Sequence, residues 1–390
     1  MEIQVIKEKY NVEIALIILC LRQFLNESDD TLIPAFLKSN NISWESLRSL
    51  AAAHRVRPII YQSLVPFSNL IGAETLKQLR SDAFYITACA LTNKSELLRI
   101  TQILSQNNIE FKVFKGIDFS ERMYGNLGLR EFSDNDLIID SSSIDDVIKI
   151  MVDEGYYSKD QQFYKRFPTQ YIRDYKDIFF EKHVNGLRQF AFEFHFKTTR
   201  YFQCYPSSFK NFLGNEYLSR DKNYTDSEYL KIMTLNSGLM DLYPDLRSVM
   251  DLAIIVKKYP NVLSVPFDSI LNDYLNYGLR VSAGILDYPC NRFSKELSKS
   301  KVKLCDEMQL KILTVKHGNR IKIIPYFVSS FKISKSISRK ISLVLNLFLL
   351  ILRPNIDDFN GVSLPYYFIY YFTKPVRILA KYLKRGANFI

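Results

Sequence analysis

Asp134 and Asp136 stand two residues apart in DNDLIID (134–140), and Glu193 interrupts a run of phenylalanines in LRQFAFEFHFK (187–197). In a strand, side chains at i and i+2 share a face, so Asp134 and Asp136 project together while Asn135 and Leu137 point the other way. By the same period Phe190, Phe192, Phe194 and Phe196 form one face of the later strand, and Ala191, Glu193, His195 and Lys197 the other. A carboxylate among phenylalanines is costly unless it is paired, solvated or bound to a metal. If the two strands are sheet neighbours, Asp134, Asp136 and Glu193 make a three-carboxylate cluster whose repulsion a divalent cation relieves. Magnesium suits such oxygen ligands and keeps waters and substrate phosphates in its remaining positions. Plainer readings stand beside this one. Ser-Asp-Asn-Asp is also ordinary loop composition, Glu193 fits a solvent-facing hairpin position, and His195 fits a core or surface histidine. A calcium-binding EF-hand is disfavoured, because its sixth loop position needs glycine and Ile139 stands there.

Upstream, Lys115-Gly116 follows a short β-type run, FKVF (111–114), and opens a helical segment. Backbone N–H groups and the helix dipole at such a turn face an anion, so a triphosphate could dock there. Arg130, four residues before Asp134, is suited to bridging phosphates or to neutralising the acidic cluster.

The flanking periodicity sets these residues in an α+β frame. Apolar residues at three and four spacing predict helices over 11–26 and 74–106, and Ser43 caps another at about 44–53. From Ile109 the order becomes strand, helix, strand, and serines 141–143 cap a helix at about 144–154 that ends at Gly155. Asn185-Gly186, between 177–184 and 187–197, is the strongest short-range signal for a two-residue hairpin turn. Helices return at 226–240, 245–258 and 267–285. The reading is a small mixed β-sheet core inserted between helical amino- and carboxy-terminal regions. Its divisions are a helical domain (1–107), the core (108–200), a second helical domain (201–300) and a basic, aromatic-rich region (301–390).

The ordered set FKVFKG, ERMYGNLGLREFSDNDLII and FEFHF resembles bacterial nucleotidyltransferase-like proteins of the DNA polymerase beta superfamily, whose members look like "LKG…Y…R…SDIDLLV…ELHW". Phe114-Lys115-Gly116 matches the first block, Tyr124 and Arg130 the middle, and Ser133-Asp134 with Asp136-Leu137-Ile138-Ile139 the second. Glu193-Phe194-His195-Phe196 matches the last. HRVRPIIYQSL (54–64) and LRSVMDLAIIV (246–256), with Asp251, are similar to flanking helices of the family. Departures are Lys115-Gly116 where the superfamily commonly has Gly-Ser or Gly-Gly, Asn135 in a usually apolar slot, and Phe196 for tryptophan.

The resemblance implies transfer of a nucleoside monophosphate from a nucleoside triphosphate, ATP foremost, to an acceptor hydroxyl. It places two Mg²⁺ ions, or Mn²⁺, on Asp134, Asp136 and Glu193, with Glu193 helping to activate the acceptor. Lys115, Gly116, Arg130, Ser133 and His195 are then the nucleotide-binding residues. Two alternatives stay open. One is a regulatory nucleotide-binding module without turnover; the other is an Asp-x-Asp glycosyltransferase, which would need a nucleotide-binding α/β half where this chain has helices.

Composition narrows the setting. With 47% hydrophobic residues the chain has ample core. Five scattered cysteines without a CxxC pair, and no secretory pattern at the start, fit a cytoplasmic protein. The net charge of +11 is concentrated in 301–390, where 16 Lys/Arg face 4 Asp/Glu. Such a region suits an anionic partner: RNA, a membrane surface or an acidic protein. Its Lys381, Lys384 and Arg385 stand near the aromatic run Tyr367, Tyr370, Tyr371 and Phe372. Leu343–Leu352 is too short to span a bilayer and reads as a buried helix.

Overall fold

The computed structural model describes residues 1–26, 31–206, 208–219, 223–264, 266–287, 299–314, 323–361 and 366–377. Among these residues the fold is α+β, with one small mixed sheet among helices. The strands are β1 (Phe111–Val113), β2 (Asn135–Ile139), β3 (Asp177–Val184) and β4 (Leu187–His195), and their order across the sheet is β1-β2-β4-β3. Lys381, Lys384 and Arg385 lie outside the described residues.

The chain divides into two compact units. Met1–Gln102, Val113–Asp136 and Arg220–Lys335 form the first; Ile103–Lys112, Leu137–Ser219 and Ser336–Ile390 form the second. The boundaries include Lys112/Val113, within β1, and Asp136/Leu137, within β2.

In the first unit the helix Val12–Asn26 is apolar on nearly every side, and Ile14 through Leu21 are buried in a helical core. Trp44–Ala53 starts where expected, with the Ser43 hydroxyl accepting from the Ser46 N–H at 3.4 Å. Tyr243 packs against the helix Ser269–Leu286 at Gly278, where an added Cβ would come within 2.1 Å of the tyrosine ring. Only glycine fits that crossing.

The second unit holds the hairpin. Asn185 (φ 52°) and Gly186 (φ 77°) are both left-handed, the geometry of the primed turn that matches strand twist. Pairing runs from Val184 opposite Leu187 to Asp177 opposite His195, with an irregularity between Lys182 and His183. Ala191, Phe192, Phe194 and His195 are all buried, so both faces of β4 are covered at its carboxy-terminal end. Phe163, Phe167, Tyr171, Phe359 and Tyr367 interlock edge to face beside it.

Two local expectations change. Serines 141–143 do not cap the next helix through their side chains. Asp140 accepts from the Ser142 N–H at 2.8 Å, the serines form a 3₁₀ turn, and Ile144–Asp153 continues from it. An aspartate at an N-cap serves as well as serine, and here it comes first in the chain. Leu343–Leu352 is not a buried helix either. It is the end of Ile337–Leu352, whose apolar side is largely exposed because its polar side is bonded inward.

In the first unit His54 is fully buried; the Leu246 N–H donates to its Nδ1 at 3.4 Å. Burial pushes its pKa down from 6.5 to about 4, against the opposing pull of Asp245. Between those values the unfolded chain binds a proton that the folded chain refuses, so stability falls as pH falls. Urea denaturation is expected to show a loss of roughly 2 kcal/mol between pH 7 and pH 5, with a much shallower slope in His54→Leu. Equal slopes in the two proteins would contradict the neutral buried imidazole.

Candidate metal centre

The site begins where β1 ends. The Phe114 N–H donates to the Asp136 carbonyl at 2.8 Å, which sets β1 beside β2. Lys115 then takes φ 96°, ψ −146°, and Gly116 φ 50°. That conformation at a lysine costs of order 1–3 kcal/mol and persists only where surrounding contacts impose it. The contacts are visible. The Lys115 ammonium lies 2.9 Å from the Asp136 Oδ1 and donates to the Asn236 Oδ1 at 3.1 Å.

Asp136 is buried on β2, Glu193 is half-buried on β4, and His195 is buried two residues further along β4. Each offers one ligand atom, and these atoms lie within 4.8 Å of one another. Ligands on opposite sides of one ion with bonds of 2.0–2.2 Å are about 4–4.4 Å apart, so small side-chain adjustments would close the three on a cation. Two carboxylates with an imidazole form a metal-binding donor set. Carboxylates suit Mg²⁺ and Mn²⁺, and imidazole suits Zn²⁺ and other transition ions, so the set alone does not choose the ion.

Of the three residues expected as ligands, Asp136 and Glu193 are in this group. Asp134 is half-buried in the bend before β2 and lies outside it, while His195, expected at the nucleotide, lies inside. Ser133 is exposed beside Asp134. Asn135, the departure from an apolar slot, is 2% exposed with neither amide atom hydrogen-bonded. An unsatisfied buried amide costs stability that an apolar residue would not.

Two residues outside the sequence motifs, Lys176 and Asp177, complete the surroundings. Buried Lys176 is ion-paired with Asp177 at the start of β3, and its ammonium is 3.7 Å from the Glu193 Oε2 and 3.4 Å from the His195 Nδ1. The other ring nitrogen of His195 is 3.4 Å from the Glu193 Oε2. Asp177 faces His195 only through the irregularity between Lys182 and His183, so the sequence carried no signal for either residue.

A second buried network stands in the first unit behind the segment that enters β2. The Arg130 guanidinium forks onto Asp251 with two bonds of 2.9 Å, and the Tyr124 hydroxyl donates to the same carboxylate at 2.7 Å. Arg130 was expected at phosphate or at the acidic cluster, and these two donors are committed to Asp251. Burial by itself would lower the pKa of Arg130, but Asp251 overrides it and holds the guanidinium above its ordinary value. Burial first and Asp251 second push the Tyr124 phenol up. Arg57 donates to both carboxylate oxygens of Glu131, and Arg247 to the Glu131 carbonyl at 2.7 Å.

A small mixed sheet among helices, with carboxylates and a histidine on its inner strands, defines an α+β nucleotidyltransferase core. Residues 40–263 match the family described as uncharacterised nucleotidyltransferase, and the chain belongs to that family. The matched span contains HRVRPIIYQSL, the whole sheet and LRSVMDLAIIV, including the Tyr124, Arg130 and Asp251 network. No curated protein and no solved structure matches the chain.

Removing one partner of a buried ion pair leaves an uncompensated charge. Asp251→Ala is therefore expected to cost about 3–5 kcal/mol in urea unfolding. A loss below about 1 kcal/mol, the range of exposed pairs, would mean that the fork holds nothing in place.

Proposed function

We propose that this protein transfers a nucleoside monophosphate from a nucleoside triphosphate, ATP foremost, to an acceptor hydroxyl. The acceptor oxygen bonds to the α-phosphorus, the bond from that phosphorus to the bridging oxygen breaks, and pyrophosphate leaves. Asp134, Asp136 and Glu193 are proposed to hold Mg²⁺, as two ions with Mn²⁺ as substitute, and Glu193 to help take the acceptor's proton. Divalent ions at such a site offset charge on the attacking and leaving oxygens. Lys115, Gly116, Ser133 and His195 are proposed to face the nucleotide. Arg130 shares that assignment, with its fork to Asp251 also holding the segment that leads to Asp134.

The observation that supports this reading most is the approach of Asp136, Glu193 and His195 within 4.8 Å on neighbouring strands, next to a buried lysine. The Lys115 ammonium would exchange Asp136 for a phosphate when a divalent ion takes the carboxylate. One observation favours a second reading, a regulatory module that binds nucleotide without turnover: Lys115 already neutralises Asp136.

Purified protein with Mg²⁺, ATP and a cell extract as acceptor source is expected to release pyrophosphate. Asp136→Asn is expected to lower that rate at least about 100-fold, since it removes several kcal/mol of charge stabilisation. An unchanged rate in the variant would sink the assignment, and ATP binding with no turnover under any acceptor would favour the regulatory module.

A further inference from the structure

The helix Ile337–Leu352 is built inside out. Its inward side buries Leu343 but is anchored by polar groups: the Arg339 guanidinium, 4% exposed, donates to the Cys204 carbonyl at 2.6 Å and the Gln203 carbonyl at 3.2 Å. Asn346 donates to the Cys204 sulfur at 3.3 Å. These bonds fix the rotation of the helix. The outward side carries Ile337, Ile341, Leu345, Phe348 and Leu352, at spacings of four, four, three and four, and each is at least half exposed. A surface helix normally turns this stripe to the core.

The surroundings identify a covering phase. The Lys374 ammonium donates to the Leu350 carbonyl at 3.0 Å, which ties the segment 366–377 to the end of the same helix. That segment exposes Tyr366, Phe368 and Phe372. Aromatic rings beside an aliphatic stripe suit the boundary between headgroups and acyl chains. Residues 336–390, in the same unit as this helix, carry 8 Lys/Arg against 2 Asp/Glu. A second copy of this region would bring the same positive charge and be repelled, whereas an anionic lipid surface attracts it. Sixteen residues rise only about 24 Å, short of the roughly 30 Å hydrocarbon core, and no helix among the described residues is long and apolar enough to cross a membrane. We infer that the exposed face of Ile337–Leu352, with the aromatic segment 366–377, lies flat on an anionic membrane surface. This stands independently of nucleotide transfer.

The test is co-sedimentation of the full chain with vesicles of phosphatidylcholine and phosphatidylglycerol at 3:1, against phosphatidylcholine alone. The protein is expected in the pellet with the anionic vesicles, less so at 0.5 M salt, and mainly in the supernatant with neutral ones. The double variant Leu345→Ser/Phe348→Ser is expected to bind about tenfold more weakly or worse, with unchanged thermal unfolding because both side chains are exposed. Phe348→Trp reports insertion as a blue shift in emission on adding anionic vesicles, over the constant background of Trp44. The inference is overturned if the wild type stays in solution at both compositions, or if the double variant binds as well as the wild type. A dimer in sedimentation velocity that the double variant splits would overturn it too, by assigning the stripe to a second copy.

Discussion

Asp136, Asp177 and Glu193 are carboxylates brought into a small, largely dry sheet, and each has a buried ammonium near it. Lys115 answers Asp136, and Lys176 answers Asp177 and Glu193. Two like charges 4 Å apart near a protein surface repel by about 4 kcal/mol, so the β2 and β4 carboxylates cannot share a neighbourhood without cations. The strained backbone at Lys115 follows from that demand, since the left-handed turn delivers its ammonium to Asp136. On the proposed function, the same balance would make the centre responsive. A divalent ion on Asp136 and Glu193 would release lysine charge for use on phosphate, and a nucleotide that brings its own metal brings both parts of the exchange.

The first unit uses its charged pairs as fixings. Asp251 receives Arg130 and Tyr124, Glu131 receives Arg57 and Arg247, and Asp245 is paired with Arg55 and caps its helix at Ser248. Apart from Asp245, the N-cap of its helix, all of these residues come from HRVR (54–57), the approach to β2 (124–131) and the helix Leu246–Lys258, which are far apart in sequence. The blocks that carry the family resemblance outside the sheet are thus blocks that bond to one another. The Arg130–Asp251 pair, buried on both sides, adds little net stability over apolar packing but penalises misplacement heavily.

Much of this is legible in the sequence. Hydrophobic period located the helices, Asn185-Gly186 located the hairpin, and period two put Glu193 and His195 on one side of β4. What stayed hidden has identifiable causes. A regular two-residue hairpin would pair Asp177 with Phe194, and the irregularity between Lys182 and His183 moves it to His195, so Lys176 and Asp177 join the centre through a bulge that no local pattern announces. The fork from Arg130 to Asp251 was not legible because its partner lies 121 residues away on another helix. The helix ending at Leu352 reads as buried because composition cannot reveal which side of it is bonded inward.

The most direct measurement is anomalous diffraction from crystals soaked in Mn²⁺ with a non-hydrolysable ATP analogue. The expected result is a manganese peak within bonding distance of Asp136 and Glu193, with the Lys115 ammonium moved from Asp136 to phosphate. Manganese bound elsewhere, or none at saturating Mn²⁺ with the Lys115 to Asp136 pair intact, would contradict a metal centre on β2 and β4.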